Sequence, residues 1–385
     1  MIDYDYAILG GGASGLSLAL ALAQSPLRIG TILLAEKDSK DRNDRTWCYW
    51  TRHDTPLDKI RYMVWHNIRF ASGDIDLKIP LQPYRYQMIR GKDFYSYMRR
   101  ELLRFPNIKI LTGRVDSWED GEESVKVWVD GEVFNASWVF ESRLNQADIQ
   151  PDPTRYHYLK QHFTGWEIEA DAPVFDPDKV TMFDLRTHQS SGFGFFYILP
   201  FSHSHALVEF TLFSTDLLPP EEYEQALQDY ITKRLGIRQY QIKEVETGVI
   251  PMTDHPFPRQ LGRHVLSIGT RGGRVKPSTG YAFSRIHKDS QAIVSSLVSQ
   301  NHPFDIPPDS RRHKLYDTLM LDVFAGPDNS LNQIMTSMFT RNPIQRVFRF
   351  LDEQTTIWED FRLLISLPPM PFLKALRNHY GRLNR

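Results

Sequence analysis

A doubly wound α/β fold with an inserted β-rich region and a helical C-terminal segment is predicted from three observations. The first is Gly10-Gly11-Gly12-Ala13-Ser14-Gly15, which reads G-x-G-x-x-G, follows the apolar run Tyr6-Ala7-Ile8-Leu9 and leads into a Leu/Ala-rich helix. The second is the apolar run Thr31-Ile32-Leu33-Leu34-Ala35, which ends in Glu36. Together these make the strand, glycine turn, helix, strand and acid of a dinucleotide-binding unit. The third lies far down the chain: Ser267-Ile268-Gly269-Thr270-Arg271-Gly272-Gly273, then Pro277-Ser278-Thr279-Gly280-Tyr281. In the first turn Gly10 makes the bend, Gly12 lets backbone amides approach a pyrophosphate, and Gly15 lets helix and strand pack closely, with the helix N-terminus facing the anion. Glu36 is placed to accept hydrogen bonds from a ribose. A nicotinamide domain needs only the first turn; the second suits a flavin, whose ribityl and ring portions reach beyond the first βαβ unit.

Composition narrows the function. The chain has 385 residues, a net charge of -1 and 41% hydrophobic residues, enough for a sizeable core. Near-neutral charge gives no basic footprint for nucleic acid. Cys48 is the only cysteine, so no internal disulfide forms and a reducing compartment is expected. No leader is expected before the first strand, since no basic-apolar-small pattern precedes it, and no apolar run approaches the roughly 20 residues of a membrane-spanning helix. The expected location is the cytoplasm, with peripheral contact to a membrane. His203 and His205 have the spacing of two ligands on one strand face, but no acid or cysteine cluster accompanies them, so no metal is expected.

The predicted order runs as follows. Residues 1–150 form the first part of the dinucleotide-binding domain, with 41–53 a polar and aromatic loop. Residues 84–104 begin extended and become a helix, with Phe94, Tyr97, Met98 and Leu102 at helical spacing. Strands at Ile108–Leu111, Val125–Trp128 and Trp138–Phe140 are split by Asp-Gly turns. Residues 151–249 form a β-rich substrate domain, with strands at His162–Glu169, Val180–Phe183, Phe193–Pro200 and Ala206–Phe213, and a helix over Glu221–Leu235. Residues 250–300 return to the first domain through the strand at His264–Ile268, the second glycine turn and a helix over Tyr281–Val298. Residues 301–385 are a helical C-terminal region.

The sequence resembles the flavin-dependent lycopene β-cyclases, most closely the bacterial form, over nearly its whole length. The resemblance rests on the first glycine turn, Asn43-Asp44-Arg45-Thr46-Trp47-Cys48-Tyr49-Trp50, Pro83-Tyr84-Arg85-Tyr86 and Met182-Phe183-Asp184. It continues through Leu207-Val208-Glu209-Phe210-Thr211, Gly248-Val249-Ile250-Pro251-Met252 and Pro277-Ser278-Thr279-Gly280-Tyr281. It implies the FAD-binding, hydroxylase-like flavoprotein fold. The residues expected to hold FAD are Gly10, Gly12, Ala13, Ser14, Gly15, Glu36, Lys37, Arg45, Gly269, Gly273, Pro277, Gly280 and Tyr281. The sequence departs from the family in its acidic motif. Two adjacent acids are usual there, but Glu209 is followed by Phe210, and Glu141 stands where an Asp is usual.

The resemblance further implies redox-neutral ring closure at the linear ends of lycopene, giving γ-carotene and β-carotene. Reduced FAD would be required but not consumed, with NAD(P)H its expected reductant. A proton adds to the terminal double bond, an internal alkene attacks the cation, and loss of a ring proton leaves a β-ionone ring. Such a reaction needs a carboxylic acid that stays protonated near pH 7. Glu209, between Val208 and Phe210, is the expected donor. Lifting a carboxyl from about 4.3 to about 7 costs roughly 4 kcal/mol, within reach of burial. Asp184 is the expected second residue, either orienting Glu209 by a hydrogen bond or taking the departing proton. Trp47, Tyr49, Trp50, Trp166, Phe195, Phe196 and Tyr197 are expected to line the polyene channel and face the cation.

Simpler readings stand beside these. Glu209 shares a strand face with Leu207 and Thr211 and fits an ordinary strand acid. Asp184 fits an ion pair with Arg186. Pro277 to Gly280 fits an N-cap for the next helix. Residues 361–376, apolar and followed by Arg377, Arg382 and Arg385, fit either a membrane-interface segment or a cap over the substrate domain. A flavin monooxygenase or prenyl-chain reductase is the competing activity, and a carotenoid-binding flavoprotein without catalysis is another.

Overall fold

The computed structural model describes residues 2–27, 30–145, 149–187, 192–326 and 330–383; Arg385 lies outside them. In chain order the elements are β1 (Tyr4–Leu9), α1 (Ala13–Ala23), β2 (Ile32–Glu36), β3 (Thr46–Thr51), β4 (Met63–Trp65), β5 (Asn67–Ser72), β6 (Ile75–Pro80), β7 (Arg85–Arg90) and α2 (Gly91–Leu102). There follow β8 (Ile108–Thr112), β9 (Val115–Asp120), β10 (Val125–Val129), β11 (Glu132–Glu141), β12 (Tyr158–Ala170), β13 (Lys179–Asp184), β14 (Phe193–Pro200), β15 (His205–Ser214) and α3 (Pro220–Asp229). The last are β16 (Tyr240–Thr253), β17 (Val265–Ser267), α4 (Phe283–Gln300), α5 (Arg311–Phe324), α6 (Ser330–Arg341), α7 (Ile344–Leu351), α8 (Ile357–Leu364) and α9 (Pro369–Leu383).

The first sheet has the order β8-β2-β1-β11-β10-β9, with β17 added on β11. Strands β8, β2, β1, β11 and β17 run parallel, and β9 and β10 are antiparallel additions. Alternation decides what each face meets. Tyr6 and Ile8 point to the core shared with α1, α2 and α4, while Ala7 and Leu9 point to the core under the β9–β10 hairpin. Both faces are covered, which is why Ala7 to Leu9 is a continuous apolar run. The predicted Asp-Gly turn between β10 and β11 is formed by Asp130 and Gly131, both with positive φ (49° and 80°).

The second sheet runs β16-β12-β15-β14-β13-β5-β6. Two of its strands, β5 and β6, come from residues 67–80, inside the segment expected to belong wholly to the first domain. Residues 250–253, expected to leave this region, still pair along β12. One face of this sheet packs on α3 and the single π-helical turn after it, through Trp166, Ile168, Phe196, Val208, Phe210 and Tyr230. The other face turns toward a small β3-β7-β4 sheet and helices α5 to α9.

Residues 46–51 correct the sequence reading. Expected as loop, they form strand β3, paired with β7. Thr, Trp, Tyr and Trp are strong β-formers, and their alternation sends Trp47 and Tyr49 toward the first core and Cys48 and Trp50 toward the second. The charged residues at 41–45 masked that pattern. β3 is thus a wall between the two halves of the molecule.

Candidate active site

The two glycine turns meet. A Cβ built on Gly269 would lie 2.4 Å from Ser14 Oγ. Gly10, Gly269, Gly273 and Gly280 all have positive φ, which side chains rarely tolerate. Gly15 packs on the backbone of Gly10, where a Cβ would come 2.0 Å from the carbonyl oxygen. Gly12 differs: its φ is -75° and nothing lies within 4 Å of its Cβ direction. No side chain caps α1, and its first turn carries no acid. The amides of Ala13, Ser14 and Gly15 therefore have no partner within the helix and face the open side of Gly12. Glu36 sits beneath this turn, its carboxylate accepting from the amides of Gly11 (2.6 Å) and Asp38 (2.9 Å). Lys37 follows, exposed. This cradle fits a dinucleotide in shape and in donor chemistry.

Pro277 to Tyr281 lies between that cradle and the second sheet. The N-cap reading of this turn does not hold: α4 begins at Phe283, its N-cap is Ala282, and no side chain caps it. Ser278 instead donates to Asp317 (2.5 Å), and buried Lys276 pairs with Asp317 and Glu353 (both 2.9 Å), so the C-terminal helices brace the turn. Gly280 abuts Gln161 of β12. Two buried polar atoms of residues bordering the cavity here, Trp47 Nε1 and Gln161 Oε1, have no hydrogen-bond partner among the described residues. An extended polar cofactor reaching from the first turn would meet them.

A cavity of about 1080 Å³ extends from this turn over the second sheet and under helices α5 to α9. Trp47, Tyr49, Trp50, Phe195, Tyr197 and Tyr281 line it, among many other apolar side chains. Trp50 is locked in place by stacking on Phe348 at 4.4 Å, by an edge contact with Tyr281 and by donating Nε1 to Asp352 (2.8 Å). The Tyr86 and Tyr197 hydroxyls pair at 2.7 Å. Burial pushes the Cys48 thiol up to about 12, which disfavours the reactive thiolate.

Glu209 points into this cavity. It is directly opposite Tyr197 on β14 and Gly165 on β12, and its side chain is covered. Its one hydrogen bond among the described residues comes from the Thr211 hydroxyl (2.6 Å). Burial pushes the Glu209 carboxyl up to about 8, with like charge from Glu246 adding to the rise and the Thr211 bond opposing it. A carboxyl raised in this way favours its neutral form near pH 7.

Three expected site residues lie elsewhere. Phe196 follows Phe195 and precedes Tyr197 on one strand, so it faces away from the cavity and stacks on Tyr230 at 3.7 Å. Trp166 is on that same far face, opposite Val208. Asp184 pairs with Phe196 across the strands and also faces α3. It is held by Arg186 (2.6 Å) and the Tyr230 hydroxyl (2.8 Å), with Arg69 at 3.9 Å. Burial pushes its carboxyl up, but Arg186 and Tyr230 outweigh this and keep it below its ordinary value. No hydrogen bond joins it to Glu209 among the described residues. The ion-pair reading of Asp184 describes its surroundings; the orienting role has no geometric support.

A second acid does lie near Glu209. Glu246 on β16 faces Gly165 from the other side, so Glu209, Gly165 and Glu246 form one row across three strands. A Cβ on Gly165 would press on Leu207 and Glu209, and its absence opens the space between the two carboxylates. Glu246 borders the cavity and takes two bonds from Thr46, one from the hydroxyl (2.7 Å) and one from the amide (3.2 Å). Burial raises the Glu246 carboxyl above its ordinary value, and the two Thr46 bonds and nearby exposed Arg45 oppose that rise. No local motif marks Glu246, because only the strand register brings it to the site.

The cavity reaches the surface at the C-terminal helices. Phe361, Ile365 and Leu373 line it and are also exposed, alongside exposed Ile357, Trp358 and Met370. No described helix is long and apolar enough to cross a membrane. Arg382 is drawn inward by Asp322 (2.7 Å), so it is not part of a free basic tail. No group of His, Cys and acidic residues suited to a metal ion is found among the described residues.

An α/β flavoprotein fold with a buried acid, Glu209, in an aromatic cavity defines the class. Among solved structures, Klebsiella pneumoniae HpxO complexed with FAD superposes with a TM-score of 0.66 at 14% identity, covering 95% of this chain and 99% of that one. Residues 5–377 match the family model described as lycopene cyclase protein, and the chain belongs to that family. It is 25% identical to the lycopene beta-cyclase of Pantoea ananas over 97% of both chains. It is 26% identical to the chloroplastic lycopene beta cyclase of Arabidopsis thaliana over 76% of this chain, and it spans 60% of that protein's length.

Proposed function

We propose that the protein is an FAD-dependent lycopene β-cyclase, an isomerase that closes β-ionone rings at the linear ends of lycopene. The carrying observation is Glu209, a buried neutral acid inside an aromatic cavity large enough for a polyene end. Glu209 gives its proton to the terminal double bond. The tertiary cation so formed is faced by Trp47, Tyr49, Trp50, Phe195 and Tyr197, whose ring faces attract positive charge. These walls also exclude water, which would otherwise capture the cation as an alcohol. Gly10, Gly12, Ala13, Ser14, Gly15, Glu36, Gly269, Gly273, Pro277, Gly280 and Tyr281 would hold FAD, whose reduced form supplies negative charge that stabilises a nearby cation.

Exposed Phe361, Ile365 and Leu373 border the cavity, and exposed Trp358 lies edge-on to Phe361. Their position supports docking on a membrane surface, from which an insoluble carotenoid enters directly.

Stoichiometry tests the reading. With NAD(P)H used only to prime the flavin, ring formation under anaerobic conditions is expected to continue with no further nicotinamide oxidised. One nicotinamide consumed per product molecule would instead fit a monooxygenase or prenyl-chain reductase.

A further inference from the structure

The geometry points to Glu246 as the base that removes the ring proton, and so as the residue that fixes the position of the ring double bond. The inference rests on the cyclase reading above. After ring closure the cation sits on a ring carbon with three kinds of neighbouring C–H: the ring-junction carbon, a ring methylene and a methyl group. Loss of a proton from each gives a different alkene. A cavity with walls of carbon alone would not choose among them; a carboxylate at one point does.

Four observations assign that carboxylate. Glu246 lies on the same face of the same sheet as Glu209, opposite the same Gly165. The backbones of β15 and β16 are about 10 Å apart, twice the strand spacing, so an end group fits over Gly165 between the two acids. Both acids border the one cavity. Their environments differ in the required sense. Glu209 is covered and has a single hydroxyl donor, whereas Glu246 is only partly buried and accepts from both the hydroxyl and the amide of Thr46; burial raises both carboxyls, but at Glu246 the two Thr46 bonds and Arg45 oppose the rise, where Glu209 has Thr211 alone. Two neighbouring acids with unlike surroundings divide into donor and acceptor. Asp184, the other acid considered for this role, faces away.

The proton balance closes. Glu209 loses a proton as the new C–H bond forms. The alkene pair makes the ring bond, the ring C–H pair becomes the new double bond, and Glu246 gains the released proton. Glu246 also borders a small outer cleft with Asn43, Thr46 and Glu244, through which that proton passes to water. Glu209 takes its next proton from water, and nothing is oxidised.

Glu246→Gln keeps the shape and the Thr46 contacts but cannot take a proton. It is expected to lower β-ring formation roughly tenfold or more and to divert product to other ring-alkene isomers or ring alcohols, with FAD retained. Glu246→Asp is expected to restore the β ring in part, and Thr46→Val to shift products in the same direction as Glu246→Gln but less. Wild-type rate and β rings alone from Glu246→Gln would overturn the assignment. So would a slowed Glu246→Gln that makes only β rings and is not improved by Asp. Absence of rings from the wild-type protein would instead sink the cyclase reading itself.

Discussion

Glu209→Gln is expected to lower ring formation by roughly 10²–10⁴-fold, the usual contribution of a positioned acid, with FAD binding unchanged. The substitution keeps the acceptor for the Thr211 hydroxyl and removes only the proton. A second consequence is independent of activity. The folded-state pKa of Glu209, about 8, lies above its ordinary value of 4.5. Between those values the folded protein keeps a proton that the unfolded chain has released, so this group makes stability fall as pH rises. The loss begins near the ordinary carboxylate value and is complete above about 8. Gln carries no such dependence. Melting temperatures of the two proteins are therefore expected to agree near pH 4 and to separate toward pH 9, with the Gln variant the more stable. Parallel curves over that range would mean that Glu209 is not held neutral. Wild-type activity is expected to decline above pH 8 for the same reason.

Gly12→Val is expected to give a folded protein without FAD. A Cβ at Gly12 meets nothing within 4 Å, and its φ of -75° suits any residue. The open space lies over the first-turn amides of α1, where a pyrophosphate would come closest. A loss of roughly 3 kcal/mol or more, about 100-fold in affinity, is expected. Gly15→Ala makes the contrast, since its Cβ would lie 2.0 Å from the Gly10 carbonyl oxygen and the βαβ unit itself would be disrupted. Flavin absorbance and circular-dichroism melting separate the two outcomes. Normal flavin content in Gly12→Val would place the cofactor elsewhere.

Much of this was legible in the sequence because the signals are local. The first glycine turn bends between an apolar strand and a Leu/Ala helix, and Glu36 ends the next strand. Alternation put Leu207, Glu209 and Thr211 on one face of β15, and all three do border the cavity. The same rule, applied to β14, separates Phe196 from Phe195 and Tyr197; treating the three aromatics as one lining set ignored it. Non-local pairing was not legible. β5 and β6 join the second sheet by pairing β13 with residues more than a hundred positions earlier. Glu246 reaches the site through the register of β12 with β15 and β16, and Gly165 between the acids has no local signature. For Asp184 the sequence left a catalytic role and an ion pair with Arg186 side by side, and Arg186, two residues on, takes both its oxygens.

The most direct test is to incubate the protein anaerobically with reduced FAD and lycopene in liposomes in deuterated water, then analyse the products by mass. Proton donation by Glu209 is expected to yield ring products with the elemental composition of lycopene, no added oxygen or hydrogen pair, and one deuterium in place of hydrogen for each ring closed. Products altered by an oxygen atom or by two hydrogens, or rings without deuterium, would contradict proton-initiated cyclisation and leave Glu209 a structural acid.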